Sequence, residues 1–192
     1  MNPITHLLVS WTVANADGLN RRERTMVTLA GIAPDLDGLG VIPEYLTRHS
    51  AHPLDWWSNY HHVLAHNLWF GLAAALIGFA LATRRWTAAL LALIAFHLHL
   101  LGDLVGARGP EGEQWPILYL YPLSHSGGLT WSGQWALNAW PNFVITGLAL
   151  ALAFYLAWRR GYSPLEMISS RADRAFIATL RRRFPLSPQP NR

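Results

Sequence analysis

The chain has 192 residues, 52% of them apolar and only 14% charged, with ten Trp and no Cys. Such a length predicts one main domain, and the lack of cysteine excludes disulfides and thiolate metal sites. A net charge of +4 comes largely from arginine clusters beside apolar segments and from a basic tail; with no recognition motif alongside, it argues for a lipid-facing basic surface and against a nucleic-acid partner.

In chain order, residues 3 to 16 and 24 to 33 predict two short helices, about 15 to 21 Å long at 1.5 Å per residue. They are too short to span a bilayer alone and are expected to form a half-buried hairpin joined by the charged turn "DGLNRRER". The triplet Ala14-Asn15-Ala16 imitates a signal-peptidase site, yet no basic residue precedes the apolar stretch, so the segment is expected to be retained. "PDLDGLGVIP" ends the second helix at a proline and opens an irregular loop as far as Tyr60.

Three long helices follow, at 61 to 84, 86 to 107 and 139 to 160. Residues 63 to 83 and 137 to 158 contain no Asp, Glu, Lys or Arg; 87 to 107 forms a third such run, interrupted only by His97, His99 and Asp103. A bilayer core needs roughly 20 apolar residues in a helix, and all three qualify. Trp69, Trp86, Trp140 and Trp158 mark segment ends, as expected for rings at headgroup depth. The fold class is therefore all-α, an integral membrane bundle of three long spans and two short N-terminal helices; a soluble bundle of very apolar helices is the alternative. A second long loop, 108 to 136, is expected to lie over one face, because loops of that length in compact proteins are usually functional. Residues 1 to 162 form the membrane-embedded unit, and 163 to 192 a basic tail ending in "PLSPQPNR", expected to be disordered.

Arg21, Arg22, Arg24, Arg84, Arg85, Arg159, Arg160 and the tail fall on one side if the chain alternates across the membrane, and the positive-inside rule makes that side cytoplasmic. Arg48 and Arg108 fall on the other. The opposite ends collect His6, Asp35, Asp37, His61, His62, His66, His99 and Asp103. On a helix His99 and Asp103 are i, i+4 neighbours, placed to reach one ion, although a buried His-Asp hydrogen bond explains the pair alone equally well. His97 points nearly the opposite way and reads as a packed or hydrogen-bonded histidine. His62 and His66 have the same helical i, i+4 relation, and His61 can reach from a helix start. Imidazole and carboxylate without sulfur suit one or two zinc ions, with manganese or iron(II) as alternatives.

These residues resemble the YdjM-like membrane-bound metal-dependent hydrolases from the N-terminus to about residue 135. The shared features are Thr5-His6, "PDLD" at 34 to 37, the H-x4-H of His61 and His66, the H-x3-D of His99 and Asp103, and "YPLS" at 121 to 124. The same order is similar to the zinc-dependent phospholipases C and single-strand nucleases, which are all-helical enzymes with clustered zinc. The resemblance implies His6, Asp35, His61 or His66 or both, His99 and Asp103 as ligands, with Asp103 bridging two metals. His62 and Asn67 stand where the family usually has Arg and Ser. Histidines for a third zinc have no secure counterpart, His125 being the candidate.

The expected function is hydrolysis by metal-activated water at an inner (cytoplasmic) membrane, with the site on the extracytoplasmic side and the tail in the cytoplasm. Asp37 is the catalytic candidate, orienting the water or taking its proton; equally, it can hydrogen-bond a ligand histidine. A site roofed by Trp56, Trp57, Trp131 and Trp135 favours a lipid headgroup, and so a phosphoester of a lipid-like substrate. Two other readings explain parts of the pattern: a non-catalytic metal-binding membrane protein (transporter component or scaffold), and an adaptor acting through the basic tail.

Overall fold

Asparagines start three of the helices in the computed structural model, which describes residues 1–16, 18–109 and 112–186. Asn2 accepts from Thr5 N–H at the head of α1 (Pro3–Ala14), Asn20 from Glu23 N–H at the head of α2 (Arg21–Ile32). A third cap, Asn67 on Phe70 N–H, begins a later helix, Leu68–Leu81. Each cap satisfies an otherwise orphaned amide and contributes about 1 kcal/mol.

After α2 the chain does not become irregular. It tightens into a 3-10 helix, Ala33–Gly40, and continues as α3 (Val41–Thr47), so Arg21–Thr47 is one helical run of 27 residues. Pro34 is tolerated because it stands in the first turn of the 3-10 segment, where its missing N–H has no partner to lose. A short α4 (Trp56–Tyr60) lies within the expected loop. The helix capped by Asn67, α5 (Leu68–Leu81), is 14 residues long, about 21 Å, rather than running from 61. Residues 61 to 67 are turns, and His62 has a left-handed φ of 64° that no helix accommodates.

Long helices α6 (Arg85–Gly106) and α7 (Trp140–Arg160) match expectation. Among the described residues three helices are thus long and apolar enough to cross a membrane, the first being Arg21–Thr47 and not 61 to 84. Among the described residues there is no strand, only isolated bridges pairing Arg108 with Ala136 and Ile117 with Leu129.

The centre of the bundle is α6, packed against α1, α2 and α5. Small residues allow this closeness: a Cβ on Gly71 of α5 would stand 2.7 Å from the Phe96 ring, and one on Gly31 of α2 would stand 1.9 Å from Ser10 Oγ. On the other side Ala149, Ala153 and Ala157 of α7 meet Leu8 and Trp11 of α1. The outer face of α7 shows Phe143, Leu148, Phe154 and Tyr155, as suits contact with lipid.

The basic tail folds back. Ser169 caps α8 (Ser170–Arg183), whose Ile177 is buried against the α1–α7 cluster with Phe176 and Leu180 beside it. Arg24 makes two 2.7 Å bonds to Glu166 and stacks 3.6 Å over the Tyr162 ring. Arg21 donates to Ser170, and Arg84 N–H to Glu23. Most of the segment expected to be disordered, residues 187 to 192, lies outside the described residues, as does Asp17, which follows the Ala-Asn-Ala triplet. The arginine-rich helix ends therefore lie together, and Arg85 and Asp103 stand about 27 Å apart along α6.

Candidate metal centre

His99, on the inner face of α6, donates Nδ1–H to the Gly31 carbonyl at 2.8 Å. His66, in the turn before α5, donates Nδ1–H to Asp37 Oδ2 at 2.9 Å. These acceptors set both tautomers, leaving each Nε2 with a lone pair. The two Nε2 atoms face one another at 3.3 Å. Both also approach Asp103 Oδ2, at 3.0 Å from His99 and 3.3 Å from His66, yet that oxygen accepts no aligned hydrogen bond. Neutral rings would put three acceptor sites in contact inside a buried site, an arrangement that is costly unless a proton or a metal ion stands among them.

More ligand atoms surround this knot. From α1, His6 Nε2 lies 3.1 Å from Asp103 Oδ1, and its ring stacks on His99 at 3.6 Å; the Met1 amine contacts the same oxygen. Asp35 Oδ1 is 3.7 Å from His99 Nε2, while its Oδ2 is buried without a partner. His62 Nε2 is 4.0 Å from Asp103 Oδ2, and its Nδ1 is also buried and unpartnered. Two sets result, His6–Asp35–His99 and His62–His66–Asp103, each with ligand atoms mutually within 4.8 Å. Asp103 turns Oδ1 toward His6 of the first set, and its Oδ2 lies between His99 of the first set and His66 of its own.

Five of the six sequence-predicted ligands, His6, Asp35, His66, His99 and Asp103, therefore meet. His61 belongs to neither set: its Nδ1 bonds Asp37 Oδ1 at 3.0 Å and its ring stacks on Trp57 at 3.8 Å. His62 occupies the place instead, through a left-handed turn and not through helical i, i+4 spacing. Asp37, expected as the catalytic group, has both oxygens engaged, by His61 on one and by His66 and the Ala65 N–H on the other. This is the geometry of its other expected role, holding a ligand histidine. His97 bonds Leu93 O and Tyr119 OH, each at 2.8 Å, as its position on α6 predicts. His125 packs on Tyr121, outside both sets.

Burial lowers the His62 pKa to about 3, so this ring is neutral and able to ligate. For His66 burial works in the same direction, but the adjacent carboxylates of Asp103 and Asp37 outweigh it and raise the pKa to about 9. In the metal-free cluster a proton thus supplies the positive charge.

The profile of the YdjM inner membrane protein family matches residues 1–172. The chain belongs to the YdjM family. No curated protein and no solved structure matches it. The family match covers the whole cluster of this YdjM chain together with two supporting amides that its sequence did not single out. Gln134 Nε2 donates to the Asp103 carbonyl at 2.9 Å. Asn142 Nδ2 donates to the Gly106 and Leu137 carbonyls, both at 2.8 Å, and its Oδ1 accepts from Trp135. They tie the end of α6 to the long loop. A buried Asn in the apolar run of α7 was a visible signal; the Gly31 carbonyl, a backbone group, left none. Beside the cluster lies a cavity of about 340 Å³ lined by Asp35, Asp103, His61, His62, Trp57 and Trp115 among others.

Proposed function

We propose that this YdjM-family chain is a membrane-bound metal-dependent hydrolase acting on a phosphoester bond of a lipid or lipid-like substrate. The observation that carries the metal is the pair of Nε2 lone pairs converging on Asp103 Oδ2. His6, Asp35 and His99 would hold one ion, and His62, His66 and Asp103 a second, with Asp103 shared; all-N/O ligation suits zinc, or manganese or iron(II). Such a metal supplies a water of lowered pKa and a counter-charge for the phosphoryl oxygens.

The chain's own groups then have distinct tasks. Asp37 and the Gly31 carbonyl fix the rings of His66 and His99, while Gln134 holds the Asp103 backbone. Asp35 and Asp103 are the carboxylates lining the cavity, each with one unpartnered oxygen, and Asp35, the more exposed of the two, would take a proton from attacking water. Hydrolysis forms a water oxygen–phosphorus bond and breaks the phosphorus–alkoxy bond, the departing alcohol leaving with a proton. Leu39, Leu137, Ala107 and the indoles give the cavity a largely apolar wall, which favours a substrate with a lipid part. The positive-inside rule would set the arginine end, with α8, in the cytoplasm and the cavity on the extracytoplasmic side of the inner membrane.

Elemental analysis of detergent-purified protein tests the first step, and a panel of chromogenic phosphodiesters and phospholipids the second. Stoichiometric transition metal with turnover supports the proposal; no metal in the wild type overturns it. Metal without turnover on any of the panel favours the second reading, an ion that staples the bundle. That reading draws on the origin of the ligands in α1, α6 and the two segments before α3 and α5.

A further inference from the structure

A second cavity, of about 430 Å³, shares Trp57, His61, His62 and Trp115 with the cavity beside the metal cluster. Its indoles stand almost at right angles, at 82° with centroids 6.2 Å apart, and so form two walls of a box. One face of Trp57 is covered by His61, and Trp115 stands 5.2 Å from His62, so the box adjoins the second ligand set.

Polar groups around it are mostly committed elsewhere. Ser58 gives both its N–H and its hydroxyl to Glu44, and His61 bonds Asp37. Asn59 and Glu113 remain, both exposed and without a side-chain hydrogen bond or ion pair to any described residue, as does the unpartnered Nδ1 of His62; of these Glu113 is the acidic group. Among the described residues no arginine or lysine lines the cavity. Indole faces attract cations, and a carboxylate at the rim adds to the same sign of field; an anionic group would find no arginine to pair with among the lining residues.

We propose that this box binds the alkylammonium group of a zwitterionic phospholipid headgroup, with the headgroup phosphate reaching across the His62–Trp115 wall toward the metal cluster. The second half rests on the hydrolase reading; the box does not. A headgroup with an amine would thus be selected over one ending in a neutral polyol or a second anion, because only the amine uses Glu113 and the two indoles.

The full chain in a neutral maltoside detergent, titrated with tetramethylammonium and with phosphocholine and followed by tryptophan fluorescence, tests this. Tetramethylammonium offers nothing to a metal and so reads the box alone. Saturable binding of both probes is expected, weakened about two- to fivefold in Glu113→Gln and about tenfold in Trp115→Leu. Inorganic phosphate should bind equally to wild type and Glu113→Gln, and metal content should be the same in both. Wild-type affinity for tetramethylammonium in both variants, or no binding of it at all, overturns the box. Phosphocholine binding no tighter than that of tetramethylammonium in metal-loaded protein overturns the link to the cluster. If the chain holds no metal, the hydrolase reading fails while the tetramethylammonium titration still decides the box.

Discussion

At the arginine-rich end of the bundle, Arg24 is buried between Glu166, the Leu19 carbonyl and the Tyr162 ring, and both of its charged contacts to Glu166 are 2.7 Å. At the other end, Asp103 is as deeply buried, yet its Oδ2 touches two imidazoles without an aligned bond, and Asp35 and His62 keep unpartnered atoms. One cluster closes its electrostatics with groups of the chain. The other meets Asp103 Oδ1 with the Met1 amine but gathers acceptors around Oδ2, where the positive charge is left to come from a proton or an ion. A buried ion pair on its own therefore indicates an interhelical tie, and function is better sought where acceptors outnumber donors.

Substitutions at the two ends should fail differently. Asp103→Ala removes the carboxylate proposed to be shared and should lower metal affinity by more than about 100-fold, since even outer partners cost about 10–100-fold; elemental analysis after dialysis reads it. Retained stoichiometric metal would erase the distinction between the ends. Glu166→Ala leaves Arg24 buried and unpaired, which costs about 3–5 kcal/mol. Thermal unfolding should show that loss, with metal stoichiometry unchanged in the folded protein. Asp37→Asn disturbs the group that orients His66, so metal affinity should drop about 10–100-fold while the unfolding temperature of the metal-free protein moves little.

The smallest effect is graded by pH. In the metal-free cluster His66 keeps its proton up to about pH 9, and an ion ligated by Nε2 must displace it. Apparent metal affinity should therefore rise about tenfold per pH unit up to that value and level off above it. A competition titration with a chelator of known pH dependence measures the slope; a flat profile would mean that His66 is not a ligand.

Much of the centre was legible because side chains on regular helices announce their neighbours. His99 and Asp103 followed from helical spacing, and His6, Asp35 and His66 from chemistry that an apolar context makes conspicuous. The resemblance put them in order. What escaped depends on irregular backbone: His62 enters through a left-handed residue, which also shortens α5. Pro34 read as a terminator, but a 3-10 segment absorbs it and extends the first span. In the tail, Phe176, Ile177 and Leu180 carry a helical apolar stripe after a Ser cap, a pattern visible in the sequence but masked by the arginines around it.

The hydrogen bond from His99 to the Gly31 carbonyl joins the aim of an imidazole to the gap between α2 and α6. Gly31 faces that gap, where a Cβ would stand 3.1 Å from the Ala95 Cβ of α6 and only 1.9 Å from Ser10 Oγ of α1. Any sideways slip of one helix would swing the ring off target, so the tightness of this seam calibrates the cluster, and a thickened seam would be felt as a loosened grip on the proposed cation.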